Sequence, residues 1–142
     1  MARNKIVLMG DPIVTEEEIA IEAITPGHVV MHNGSTGLIK NTGNAANVAF
    51  QLALERDELG KEIDVAYAIN DVVKVATFAP GMRAYPFIPS GQNVAKGAYL
   101  TTDNAGRLTT ASVAAGIRVA RALEAVNNSA GPGDARIRVE VV

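Results

Sequence analysis

The chain has 142 residues, with 13 Lys and Arg against 15 Asp and Glu, a formal net charge of −2, and no cysteine. One domain's worth of polypeptide so evenly charged is not built to capture nucleic acid or an anionic membrane by bulk electrostatics, and the missing thiols exclude disulfides, thiolate metal sites and a cysteine nucleophile. Hydrophobic residues make up 48% but aromatics only 4%, with 13 Gly and no Trp, so the core has to be assembled from small aliphatic side chains.

The first ten residues carry Arg3 and Lys5 and a brief apolar run, Ile6, Val7, Leu8 and Met9. Four residues are far short of a signal-peptide core or a membrane span, and the expectation is a soluble, unprocessed chain. Thr15 to Glu18 matches a helix capping box, yet Ile19 and Ile21 alternate with Ala20 and Glu22, so a short helix through Ala23 and a strand are equally good readings. From Asn44 to Glu55, Val48, Phe50, Leu52 and Leu54 recur every second residue, which predicts a strand despite good helix formers between them. The same period predicts strands at Val65-Tyr67-Ile69, at Val73-Val75, from Ile117 through Val119 and Arg121 to Leu123, and at Ile137-Val139-Val141. Tyr99 to Thr102 and Arg107 to Thr110, joined by Asp103-Asn104-Ala105-Gly106, predict a β-hairpin with a four-residue turn, while Thr110 to Gly116 is either a loop or one helical turn. Turn signals such as Thr25-Pro26-Gly27, Asn33-Gly34, Pro80-Gly81, Ser90-Gly91 and Gly131-Pro132-Gly133 punctuate these segments. Together they predict an all-β fold, a small antiparallel β-barrel or sandwich with at most short helical turns.

Catalytic chemistry finds little support. His28 and His32, read on one strand, lie roughly 13 Å apart, too far to share a metal ion. As a helix they would need a Glu at position 29 for a zinc-protease motif, and Val29 stands there. Asp71 and Asp134 sit in turn contexts and Glu55 in a mixed charged run, where solvated roles explain them. Gly131-Pro132-Gly133 precedes a strand and is not followed by Gly-Lys-Ser or Gly-Lys-Thr, so it is no phosphate cradle. Ser35, Ser90, Ser112 and Ser129 lack the strand-elbow-helix setting of a nucleophile. Catalytic, cofactor and metal sites are therefore all expected to be absent. Arg118, Arg121, Arg136 and Arg138 crowd the C-terminal quarter. Arg136 and Arg138 are expected on one face and Arg118 and Arg121 on opposite faces, either paired with Glu124 and Glu140 or serving as a contact surface.

Several segments taken together resemble the decoration, or cement, proteins of tailed-bacteriophage capsids: Ile24-Thr25-Pro26-Gly27, Leu54-Glu55 with Gly60 to Tyr67, Asp71 to Val75, and Pro80-Gly81. The likeness continues through Ser90-Gly91, Lys96 to Leu100, Gly106-Arg107-Leu108, Ala122 to Val126 and Ile137 to Val141, and covers about residues 19–142. It implies a non-enzymatic β module on the outer capsid surface of the virion, made in the bacterial host cytoplasm. Its partners would be the major capsid protein lattice and further copies of itself, a trimer before a dimer. No catalytic residues carry over.

The division expected is an extended N-terminal arm over residues 1–18 and one β-rich domain over 19–142. Ile6, Val7, Leu8 and Met9 of the arm are candidate contacts with the capsid or a neighbouring subunit. So are Phe78, Met82, Tyr85, Phe87 and Ile88, large apolar residues crowded around a Pro-bounded loop, and Arg136 and Arg138. The loop residues serve equally well as a cap on the core. The alternative function is a β-barrel binding module for a small ligand or a host-surface glycan, disfavoured by the absence of Trp.

Overall fold

The computed structural model describes residues 5–12, 14–42, 49–111 and 117–142. Among the described residues, fifteen strands run in chain order: β1 (Val7–Met9), β2 (Val14–Ile19), β3 (Val30–His32), β4 (Leu38–Lys40), β5 (Gln51–Ala53), β6 (Val72–Thr77), β7 (Arg83–Ala84), β8 (Phe87–Ile88), β9 (Asn93–Val94), β10 (Tyr99–Thr102), β11 (Leu108–Thr110), β12 (Ala120–Ala122), β13 (Val126–Asn127), β14 (Ala135–Arg136) and β15 (Val139–Val141). The helical content among the described residues is one 3-10 turn, Asp57–Leu59. The fold is all-β.

The largest sheet orders its strands β1-β7-β15-β12-β10-β11, the second β2-β6-β5, and three two-stranded ribbons complete the set. All the strand pairs are antiparallel. Of the two forms expected, the closed barrel is not found among the described residues, where β1 and β11 are the edges of the large sheet. The architecture is layered. Ala84, Leu100, Leu108, Ala120, Ala122, Val139 and Val141 line the inner face of the large sheet and share one core with Phe50, Leu52, Leu54, Ala76 and Phe78 of the second. The other face of that second sheet, with Ala53, Val73 and Val75, packs on a smaller core completed by Ala20, Ile24, Val30, Leu38 and Tyr67. The Tyr67 hydroxyl donates to the Leu54 carbonyl at 2.6 Å, so its burial leaves no unpaired polar group.

Period-2 reading succeeds where strands are long or their apolar residues large. β6 and β15 fall in place with Val73, Val75, Val139 and Val141 buried, and Ile137 is fully enclosed. The hairpin pairs Leu100 with Thr110 and Thr102 with Leu108; its turn is closed by Asp103, whose Oδ1 accepts from the N–H groups of Ala105 and Arg107. The segment around Glu16 to Glu18 is a strand, held along β6 in a register running from Val14 opposite Thr77 to Ile19 opposite Val72.

Elsewhere the expectation is corrected. Val65 and Ile69 are exposed in turns, and only Tyr67 forms a bridge, to Ile24. Turns at 63–64 and 69–70 flank the Tyr67 bridge, and Asn70, at φ 74, reverses the chain directly after Ile69. The strand after Ile117 has the opposite phase: Ala120 and Ala122 face the core, whereas Arg121 and Ile117 are exposed. The strand predicted from Asn44 narrows to β5, residues 43–48 lying outside the described residues, as do 112–116 of the Thr110 to Gly116 segment. The extended arm is also corrected over its described residues. Ile6 is fully buried, Tyr85 N–H donates to its carbonyl at 2.9 Å, and β1 and β2 are built into the two main sheets. A short apolar run suffices because it supplies an edge strand to a sheet that already exists.

Gly37 approaches the Ile19 backbone carbonyl so closely that a Cβ would overlap the oxygen, whereas Gly133 faces open space. Gly37→Ala is expected to lower unfolding stability by about 1–3 kcal/mol, and Gly133→Ala to leave it within about 0.5 kcal/mol. Paired chemical denaturation curves check both.

Candidate interaction surface

The candidate contacts read from the sequence separate into buried and exposed sets. Ile6, Phe78, Met82 and Ile88 are core residues and present nothing to a partner. The Pro80-Gly81 turn, closed by Met82 N–H donating to the Ala79 carbonyl, folds that segment back so that β7 joins the large sheet and β8 pairs with β14. Three of the five large apolar side chains crowded in that segment, Phe78, Met82 and Ile88, are thus part of the core. Tyr85 and Phe87 are half-buried, as are Val7 and Leu8, while Met9 is 55% exposed.

Arg136 is a structural clamp. Its side chain is only 10% exposed, with a guanidinium lying 4.1 Å over the Phe87 ring and donating to the Ile63 and Tyr85 carbonyls and to the Asp64 carboxylate. Burial is the largest influence on it and pulls its pKa down, and Asp64 opposes that pull. Arg138 behaves differently: its Nε–H donates to Glu124 at 2.9 Å and its side chain stays 37% exposed. The two arginines therefore do not make one charged face.

What the large sheet exposes is a row running across five strands, from β1 to β10. Met9 is opposite Arg83, Arg83 opposite Glu140, Glu140 opposite Arg121, and Arg121 opposite Tyr99. At ordinary strand spacing the row is about 19 Å long. Glu140 bridges its two neighbours, at 3.7 Å from Arg83 and 3.6 Å from Arg121. Arg118 lies 4.4 Å over the Tyr99 ring, a cation–π contact that places it on the same side as Arg121 and corrects the expectation of opposite faces. Arg83, Arg118, Arg121 and Arg138 here outnumber Glu124 and Glu140, although the whole chain is slightly acidic. Compensating acid is gathered on β2, the edge of the second sheet, at Glu16, Glu17 and Glu18. That Arg83 and Tyr99 share one row was invisible in the sequence, because the link runs through two intervening strands, β15 and β12, that are distant along the chain.

The histidines play local roles. His32 Nδ1 accepts from Gly34 N–H, and His28 Nδ1 accepts from Thr25 N–H at 3.0 Å with its ring 5.0 Å from Phe87. Among the described residues, no group of three or more His, Cys, Asp or Glu side chains is placed to hold a metal ion, and no helix is long and apolar enough to cross a membrane. No protein-family model and no curated protein matches the chain.

Burial, aided by Lys40, Arg136 and Arg107 and opposed by Asp134, pushes the His28 pKa down to about 4. The unfolded chain then binds a proton that the folded protein refuses, so this contribution to stability is complete above the unfolded pKa near 6.5 and is lost as pH falls toward 4. Its size is at most about 3 kcal/mol. Melting temperatures measured between pH 7 and 5 should fall with pH, and the slope should flatten in His28→Gln.

Proposed function

We propose that the chain is a capsid decoration protein that binds the outer surface of an expanded phage head and ties neighbouring major capsid protein subunits together. The observation that carries the reading is the outward-facing row from Met9 to Tyr99 across five strands of the large sheet, flanked by Arg118 and Arg138. A cementing module needs a stiff body and a broad face whose weak contacts are multiplied by the symmetry of the lattice, and avidity then supplies what single-site affinity lacks. A mixed face of arginine, aromatic and aliphatic groups has the composition favoured at protein interfaces. The turn-and-strand likeness to phage cement proteins, over about residues 19–142, points the same way. In this reading the protein acts as a homo-oligomer, a trimer before a dimer, at the virion surface, and it performs no catalysis.

Purified protein mixed with matching undecorated heads should co-sediment with them and raise their melting temperature. Arg118→Glu combined with Arg121→Gln should weaken that binding about tenfold or more while leaving the unfolding of the isolated protein nearly unchanged. Neither co-sedimentation nor a thermal shift with the unmodified protein overturns the proposal.

A further inference from the structure

Beside the row lies a cavity of about 170 Å³, lined by Leu8, Met9, Arg83, Leu123 and Arg138. It brings together β1, the start of β7, the residue that follows β12 and the residue that precedes β15, so four distant stretches of chain build it. We infer that this cavity is a binding site for a monocarboxylate carried on a short aliphatic stem.

The argument is one of unused donors, charge and lining. A guanidinium offers five N–H groups in a planar fork that matches a carboxylate. Arg138 spends its Nε–H on Glu124. The Arg83 guanidinium makes no hydrogen bond among the described residues; its Nε is shut off from water and faces Glu140 only at an ion-pair distance of 3.7 Å. Both side chains keep more than a third of their surface open, so an incoming anion can reach them. The ion-paired set beside the cavity is Arg83 and Arg121 about Glu140 and Arg138 on Glu124, three positive charges against two negative; Arg118, over the Tyr99 ring at the far end of the row, stands apart from that set, so one charge is left for a ligand to neutralise. A monoanion matches that excess. A phosphate dianion overshoots it and meets the repulsion of two carboxylates already present. The remaining wall is aliphatic, Leu8 and Leu123 with the Met9 thioether, and gives a branched hydrocarbon stem a place to leave water. Arginine heads and leucine side chains lining one small cavity are the two halves of such a ligand's recognition. The source is either a free short-chain acid or the C-terminal carboxylate of a polypeptide ending in leucine.

Calorimetric titration of the isolated full chain tests the inference without any capsid, so its failure leaves the decoration reading standing. The probes are 3-methylbutanoate, an acetyl-Gly-Gly-Leu peptide with a free C-terminus, the same peptide amidated, and inorganic phosphate. Saturable binding of 3-methylbutanoate is expected, weakened about tenfold or more in Arg83→Gln and in Arg138→Gln and unchanged in Arg118→Gln. Leu123→Glu, which keeps both arginines and places a competing carboxylate on the cavity wall, should also abolish it, with thermal melting as the check that each variant is folded. Binding of the free-acid peptide but not the amide assigns the site to a chain end, and binding of 3-methylbutanoate alone assigns it to a free acid. No saturable binding of either carboxylate, binding indifferent to both arginine substitutions, or phosphate bound as tightly through the same two residues overturns the inference.

Discussion

Where β5 runs beside β6, the second sheet is buried on both of its faces, and the remainder of the molecule is arranged around that constraint. Leu52 and Ala53 are neighbours in sequence, as are Val75 and Ala76 across from them, and all are sealed from water although successive side chains in a strand point in opposite directions. Each face must therefore have its own cover. The six-stranded sheet provides one and the segments around Ile24, Leu38 and Tyr67 the other. The small side chains that dominate the composition suit this arrangement, because layers separated by Ala and Val can approach closely without leaving voids.

Covering one face of a sheet with a six-stranded neighbour leaves the far side of that neighbour in water. Its outward residues are consequently polar or long: Arg83, Arg121 and Glu140 stand opposite one another in register, and Tyr99 takes Arg118 on its ring. Individually these surface ion pairs contribute little to stability. They set Arg83 and Arg121 on either side of Glu140 along one row of the outward face. Arg136 shows the contrasting use of the same residue type. Withdrawn beneath Phe87 and tied to the Ile63 and Tyr85 carbonyls, it joins β14 to the 62–65 turn and is unavailable to a partner.

The candidate contacts chosen from the sequence were those with the most apolar surface, and that preference explains their fate. Phe78, Met82 and Ile88 are large because they fill the core, and a linear reading cannot separate a sticky loop from a strand that folds back under its own sheet. Met9 and Arg138 did belong at the exposed face, but their neighbour Arg83 drew no notice, since nothing within a few residues of it marks it out. The site is made by register between β1, β7 and β15, and register is a long-range property.

By itself the sequence determined the fold class and much of its punctuation. Alternating Ile137, Val139 and Val141, the Asp103 to Gly106 turn and the absence of any long amphipathic run permit little other than antiparallel strands. It also set the chemistry in stock: no thiols, few aromatics, and arginines in place of a histidine cluster. Tertiary structure alone decided that the sheets stay open among the described residues, that Ala120 and Ala122 face inward while Ile117 does not, and that residues 6–9 complete a sheet instead of forming an arm. Those outcomes turn on which surfaces find partners. Alternation says that a strand has two faces, and only the packing of distant strands says which of them is dry.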